Sequence, residues 1–148
     1  MKKFIFTLQA PLNVKRAQEK QLMGELAECN ARIREFERVL QEHLAFKEEQ
    51  NRRYEKDITE GLTPYSMMFW RWAHLTIRDR ILYQQNVLET AEGERARIET
   101  RLITVMRDRK VLEKLREAQW EEYRAEERRQ AAVEIAEFVG HAVFVANE

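Results

Sequence analysis

"EGLTPYSMMFWRW", residues 60–72, sets a glycine, a proline, two methionines and three aromatics into a chain otherwise dominated by Glu, Arg, Lys, Gln and Leu. Gly61 suits the left-handed residue that closes a helix, and Thr63 followed by Pro64 reads as an N-cap with proline at the first helical position. The stretch is therefore a tight reversal between two helical segments. Segments joined by so short a connection must lie antiparallel.

Working outward, both flanks carry the pattern such a fold requires. On the amino-terminal side apolar residues recur at Leu22, Leu26, Cys29, Ile33, Phe36 and Leu40, alternating steps of four and three, which is a heptad seam. Extended backward the seam reaches Ile5, Leu8 and Leu12, and Pro11 is tolerated only inside a first helical turn, with Thr7 as a candidate cap. On the other side Trp70, Ile77, Ile81, Leu88, Ala91, Ile98, Leu102, Val105, Leu112 and Tyr123 share one series. Pairing outward from the turn sets Leu40 near Gln84, Phe36 near Leu88, Leu22 near Leu102 and Leu8 near Trp120.

These readings predict an all-α fold: two long helices forming an antiparallel coiled-coil hairpin, the second longer. A single domain over residues 1–148 is expected, with helix one over about 8–59, the turn at 60–64, helix two over about 65–139 and a short tail loosened at Gly140. At 1.5 Å per residue the helices would run about 70–80 Å and about 100 Å. After Tyr123 the apolar positions drift to Ala132, Ile135, Val139 and Val143, a stripe that no longer faces the same partner helix.

Composition agrees and narrows function. The 148 residues are 35% charged and 44% hydrophobic, with four glycines and two prolines, values that lean toward long helix rather than a turn-rich globule. Lys plus Arg (26) balances Asp plus Glu (26), finely interspersed, so no net field invites nucleic acid or an anionic membrane. The apolar run of the basic opening "MKKFIFTLQAPL" is broken by Gln9 and Pro11, which argues against a signal peptide, and no stretch approaches the roughly 20 apolar residues of a membrane helix. A single cysteine, Cys29, leaves no internal disulfide and suits a cytosolic protein.

No catalytic constellation is present: no GxxxxGK, HExxH, CxxC or GxSxG pattern occurs, and no cofactor is expected. His43 and His74 fall on seam positions of opposite helices, yet two histidines with no nearby cysteine or acidic ligand make a poor metal site; they read as polar interruptions of a coiled coil. Cys29 reads as a small buried seam residue rather than a nucleophile. The charged residues read as solvated outer faces. The aromatics near the turn are different, because Phe46, Phe69 and Trp72 lie off the seam and form a candidate contact surface. The competing reading is a local cluster with Met67 and Met68 as filler.

Three segments carry a family resemblance. "FIFTLQAPLNVKRAQEKQLMGELAE", "DITEGLTPYSMMFWRW" and "KVLEKLREAQWEEYRAEERRQAAVEIAEF" resemble, in their order along the chain, the flagellar type III export protein FliJ family. The resemblance implies a non-enzymatic stalk, similar to the paired helices of the rotary ATPase gamma subunit. It would bind the hexameric export ATPase, the cytoplasmic domain of the export-gate membrane protein, and export chaperones. Such a protein is cytoplasmic and peripheral to the inner membrane, with no membrane insertion of its own, and is expected to be monomeric. Carried over by gapless counting from Gly61, the family's gate face falls on Val39, His43, Phe46, Gln50, Ala73, Ile77, Arg80 and Gln84, beside the off-seam Phe69 and Trp72. The ATPase-facing candidates are Phe4, Leu8, Trp120, Tyr123, Arg124, Arg128 and Arg129. A virulence secretion stalk and a generic coiled-coil homodimer scaffold are the alternatives.

Overall fold

A computed structural model of the chain describes residues 2–148, which form two helices, α1 (Gln9–Glu60) and α2 (Pro64–Ala146), with no strand among the described residues. They pack antiparallel, and α2 is the longer. The reversal is built as its residues dictate. Gly61 adopts φ 98°, a left-handed conformation that costs a side-chain-bearing residue about 1–2 kcal/mol. The Thr63 hydroxyl accepts from the Ser66 amide at 3.1 Å, satisfying one of the orphan donors of the first turn, and Pro64 takes the position where no amide hydrogen is needed.

The packing falls into two compact units. In the unit formed by residues 21–102, Cys29, Ile33, Ala91 and Ile98 make a buried cluster, flanked by Leu22, Leu26, Phe36 and Leu88. Small residues let the helices approach here: the Cys29 thiol reaches the Ala91 carbonyl at 3.5 Å, and about two turns nearer the reversal the Gln84 amide donates to the Phe36 carbonyl at 3.1 Å. Arg32 pairs with Glu94 at 3.2 Å across the rim. The same face of α2 continues through Ile81, Ile77, Ala73 and Trp70, all buried. Outside the seam, Arg38 is paired with both Glu35 and Glu42; its hydrogen bond to Glu35 raises the guanidinium pKa and holds the Glu35 carboxyl below its usual range.

In the unit formed by residues 2–20 and 103–148, Leu12 is fully buried and Val105 faces the same interior. Lys15 pairs with Asp108 at 3.0 Å and Arg16 with Glu113 at 3.3 Å. The largely buried Arg109 is held between the Glu19 and Glu113 carboxylates. Residues 2–6 are not helical, so extending the heptad backward misassigns them: Phe6 is buried, whereas Ile5 is 78% exposed. Thr7 belongs to the turn that precedes α1 rather than capping it.

The far end of α2 departs from the sequence reading. The helix does not stop near residue 139 but passes through Gly140 to Ala146. One glycine inside a helix costs only about 1 kcal/mol relative to alanine, too little to end a segment whose neighbours all tolerate helical geometry. From Glu126 onward every residue is exposed.

Candidate functional site

The candidate residues fall on two surfaces, one in each unit. Around the turn, Trp70 anchors a local cluster. Its indole donates to the Asp57 carboxylate at 2.8 Å, Tyr54 meets it edge-on at 5.6 Å, and His74 meets Tyr54 at 4.9 Å. Burial and a hydrogen-bonded indole make Trp70 a structural residue. The cluster does not absorb its neighbours: Phe69 touches the Trp70 ring edge at 5.3 Å yet stays half exposed, as does Phe46, and Trp72 is 64% exposed. Met67 and Met68 point outward, so they are not the filler of a local core.

These side chains border two open clefts. One, of about 560 Å³, lies between Phe46, Gln50, Arg53, Lys56 and Phe69; the other, of about 490 Å³, lies between Tyr54, Met67, Met68, Arg71 and Leu75. The first cleft carries both signs of charge, with Arg53 and Lys56 beside Glu49, Asp57 and Glu60, and the second has Arg71 alone; the apolar walls of both suit a protein ligand with apolar anchors.

Several expected contact residues are not available there. Ala73, Ile77 and Gln84 are buried against α1, so counting from Gly61 placed them on the seam instead of on an outer face. Gln50 is half-buried with its Oε1 enclosed, Val39 and His43 are also half-buried, and Arg80 is exposed. Conversely, Tyr65, Met68 and Leu75 were missed. Together with Trp72 they recur at steps of three, four and three on an outward face of α2, a second stripe offset from the seam and visible in the sequence once the seam is fixed.

The second surface carries the other candidates. Phe4 packs against Trp120 at 5.1 Å and Tyr123 at 5.5 Å, the latter two stack at 5.6 Å, and Arg116 lies over the Phe4 ring. The Tyr123 hydroxyl donates to the Lys2 carbonyl at 2.8 Å, and Arg116 donates to Gln9 at 3.1 Å. Phe4, Trp120 and Tyr123 thus form an intramolecular clamp that binds the non-helical lead to α2, with Phe4 and Tyr123 half-buried and Trp120 still exposed. Leu8, Arg124, Arg128 and Arg129 are exposed. Beyond them Phe138 and Phe144, missed as site candidates, stand 75% and 65% exposed. Among the described residues no group of three or more His, Cys, Asp or Glu side chains is placed to hold a metal ion, and no helix is long and apolar enough to cross a membrane.

The family model for the flagellar FliJ protein matches residues 4–148. The chain belongs to the FliJ family. No curated protein and no solved structure matches it. FliJ membership gives the chain a role related to flagellar protein export. In this FliJ protein each surface leaves some large apolar or aromatic side chains exposed, the kind of chemistry that binds other proteins.

Proposed function

We propose that this FliJ protein is the stalk and adaptor of the flagellar export apparatus. In this reading the turn-proximal surface, with Phe46, Phe69 and Trp72, docks on the cytoplasmic domain of the export-gate membrane protein. The other unit, with Leu8, Arg124, Arg128, Arg129 and the exposed end of α2, docks on the hexameric export ATPase, and export chaperones are escorted by the same protein. The protein works in the cytoplasm, held at the inner membrane through its partners. The observation that carries the reading is the unused apolar surface at both places, in a chain whose coiled-coil seam is already filled from within. A filled seam also weighs against a homodimer scaffold, which would need that stripe for a second copy.

The test is retention from native cytosol. Tagged full-length protein should retain a hexameric ATPase and a gate protein, and should stimulate hydrolysis by that ATPase. Truncation after Tyr123 should leave the remaining hairpin helical and abolish stimulation; full stimulation by the truncated chain would refute the assignment of the ATPase to this surface.

A further inference from the structure

Next to the turn, α2 carries a second heptad. Tyr65, Met68, Trp72, Leu75, Asp79 and Leu82 follow alternating steps of three and four on the side of α2 nearly opposite Trp70, Ile77 and Ile81, which α1 covers. The five apolar members are 42–82% exposed. The stripe runs about 26 Å along the helix. A helix that fills one heptad against α1 and displays another on its far side is patterned to hold two neighbours. The two edges of the stripe differ in charge. Arg71 and Arg78 line one edge, and Phe69, Thr76 and Tyr83 line the other. Asp79 interrupts the apolar series and is exposed, bonded to its neighbour Arg78 at 3.2 Å.

We infer that residues 65–82 are one half of an intermolecular coiled coil whose other half is an α-helix of a different protein, apolar at heptad spacing, acidic along the edge that meets Arg71 and Arg78, and carrying a cation opposite Asp79. The inference rests on the reading that the turn-proximal surface docks a partner, and adds the shape and charge of what docks. The period calls for a helix, because only a helix repeats its own side chains in step with such a stripe over its whole length. Charge selects the partner. A second copy is disfavoured in either direction: parallel pairing sets Asp79 against its own counterpart, and antiparallel pairing sets Arg71 beside the Arg78 of the other copy and buries Asp79 against Met68. A helix with acids on one edge and one cation in its seam satisfies all three charges, and a polar residue at a single seam position then fixes the register. A lipid surface is disfavoured as well, since Asp79 lies within the very stripe that would sink into the acyl boundary.

Site-specific photo-crosslinking in the native cell tests the helix directly. The photoreactive residue p-benzoylphenylalanine replaces Tyr65, Leu75 or Leu82, one at a time, in the full chain; all three are exposed, and far-ultraviolet circular dichroism confirms folding. Mass spectrometry then maps the attachment points on the partner. Points reached from residues 65 and 82 should lie about 17 residues apart on a partner helix, against about 8 on an extended segment. The mapped segment should carry Asp or Glu on the edge facing Arg71 and Arg78. A synthetic peptide of that segment, titrated against the full-length protein by fluorescence anisotropy, should gain helicity on binding. Arg71→Glu with Arg78→Glu should weaken it on the order of tenfold, and changing the peptide's facing acids to Lys should restore the affinity. A spacing near 8 residues, a failed charge-swap rescue, crosslinks to a second copy of this chain, or crosslinks to lipid alone would each overturn the inference. If the export gate is retained by the full-length protein while the stripe crosslinks to no helix, the inference fails and the proposed function stands. If neither the gate nor any helix is bound, the inference and the docking role of this surface fail together.

Discussion

The Trp70 indole donates to the Asp57 carboxylate at 2.8 Å, tying the second helix to the first beside the turn. Trp70 is only 6% exposed, so its N–H has little access to water if Asp57 is lost. Leaving a buried donor unpaired costs about 1–3 kcal/mol, and Asp57→Ala should lower stability by that amount. Trp70→Phe removes the donor, so the double variant should lose less than the sum of the two single variants. Urea unfolding of the four proteins measures the coupling; strictly additive losses would show that the hydrogen bond contributes nothing to the fold.

The turn should decide between hairpin and dimer. Gly61 holds φ 98°, and Pro64 begins α2 directly after the Thr63 cap. Gly61→Ala with Pro64→Ala strains the reversal and favours one continuous helix, whose seam residues would then pair with a second chain. Light scattering after size exclusion should give a monomer for the natural sequence and a growing dimer fraction for the double variant. A purely monomeric variant would show that the seam itself specifies the reversal.

The hairpin was legible because its determinants are local or periodic. The cap at Thr63, the positive φ at Gly61 and the three-four spacing of Ile77, Ile81, Ala91, Ile98 and Leu102 each act within a few residues, and each appears as the sequence implies. What failed did so where periodicity ends or must be shared. Phe6 replaces Ile5 inside because the lead before α1 is not helical, and the period of a helix says nothing about an extended segment. Ala73, Ile77 and Gln84 were placed in a partner surface although the same spacing that predicts the seam buries them; a residue cannot serve both faces. The clamp of Phe4 on Trp120 and Tyr123 joins residues far apart in the chain, and no spacing rule announces it.

That clamp makes a prediction of its own. Tyr123→Phe removes the hydrogen bond to the Lys2 carbonyl at the cost of about 0.5–1.5 kcal/mol, while Phe4→Ala removes two ring contacts worth about 0.5–1.5 kcal/mol each beyond their buried area. Phe4→Ala should release residues 2–8 first. Amide hydrogen exchange followed by mass spectrometry should show protection lost in that lead while residues 21–102 keep theirs. Unchanged exchange in the lead would mean that Phe6, buried nearby in sequence, suffices to hold it.

The turn-proximal surface separates structure from function by residue. Trp70 is enclosed by Tyr54 and hydrogen-bonded to Asp57, so Trp70→Ala should destabilise the hairpin by about 3–5 kcal/mol. Phe46 and Trp72 face solvent, and their alanine variants should change unfolding by no more than about 0.5 kcal/mol. Phe69→Ala should cost somewhat more, about 0.5–1.5 kcal/mol, because it also loses its edge contact with Trp70. If these three side chains anchor the export gate, each loss should weaken gate binding by about 2 kcal/mol or more, which is roughly thirtyfold, while stimulation of the ATPase persists. Thermal unfolding, ATPase assays and titration against the gate's cytoplasmic domain read the three quantities separately. Large stability losses at Phe46 or Trp72 with gate affinity intact would show that the exposed aromatics serve the fold and not the partner.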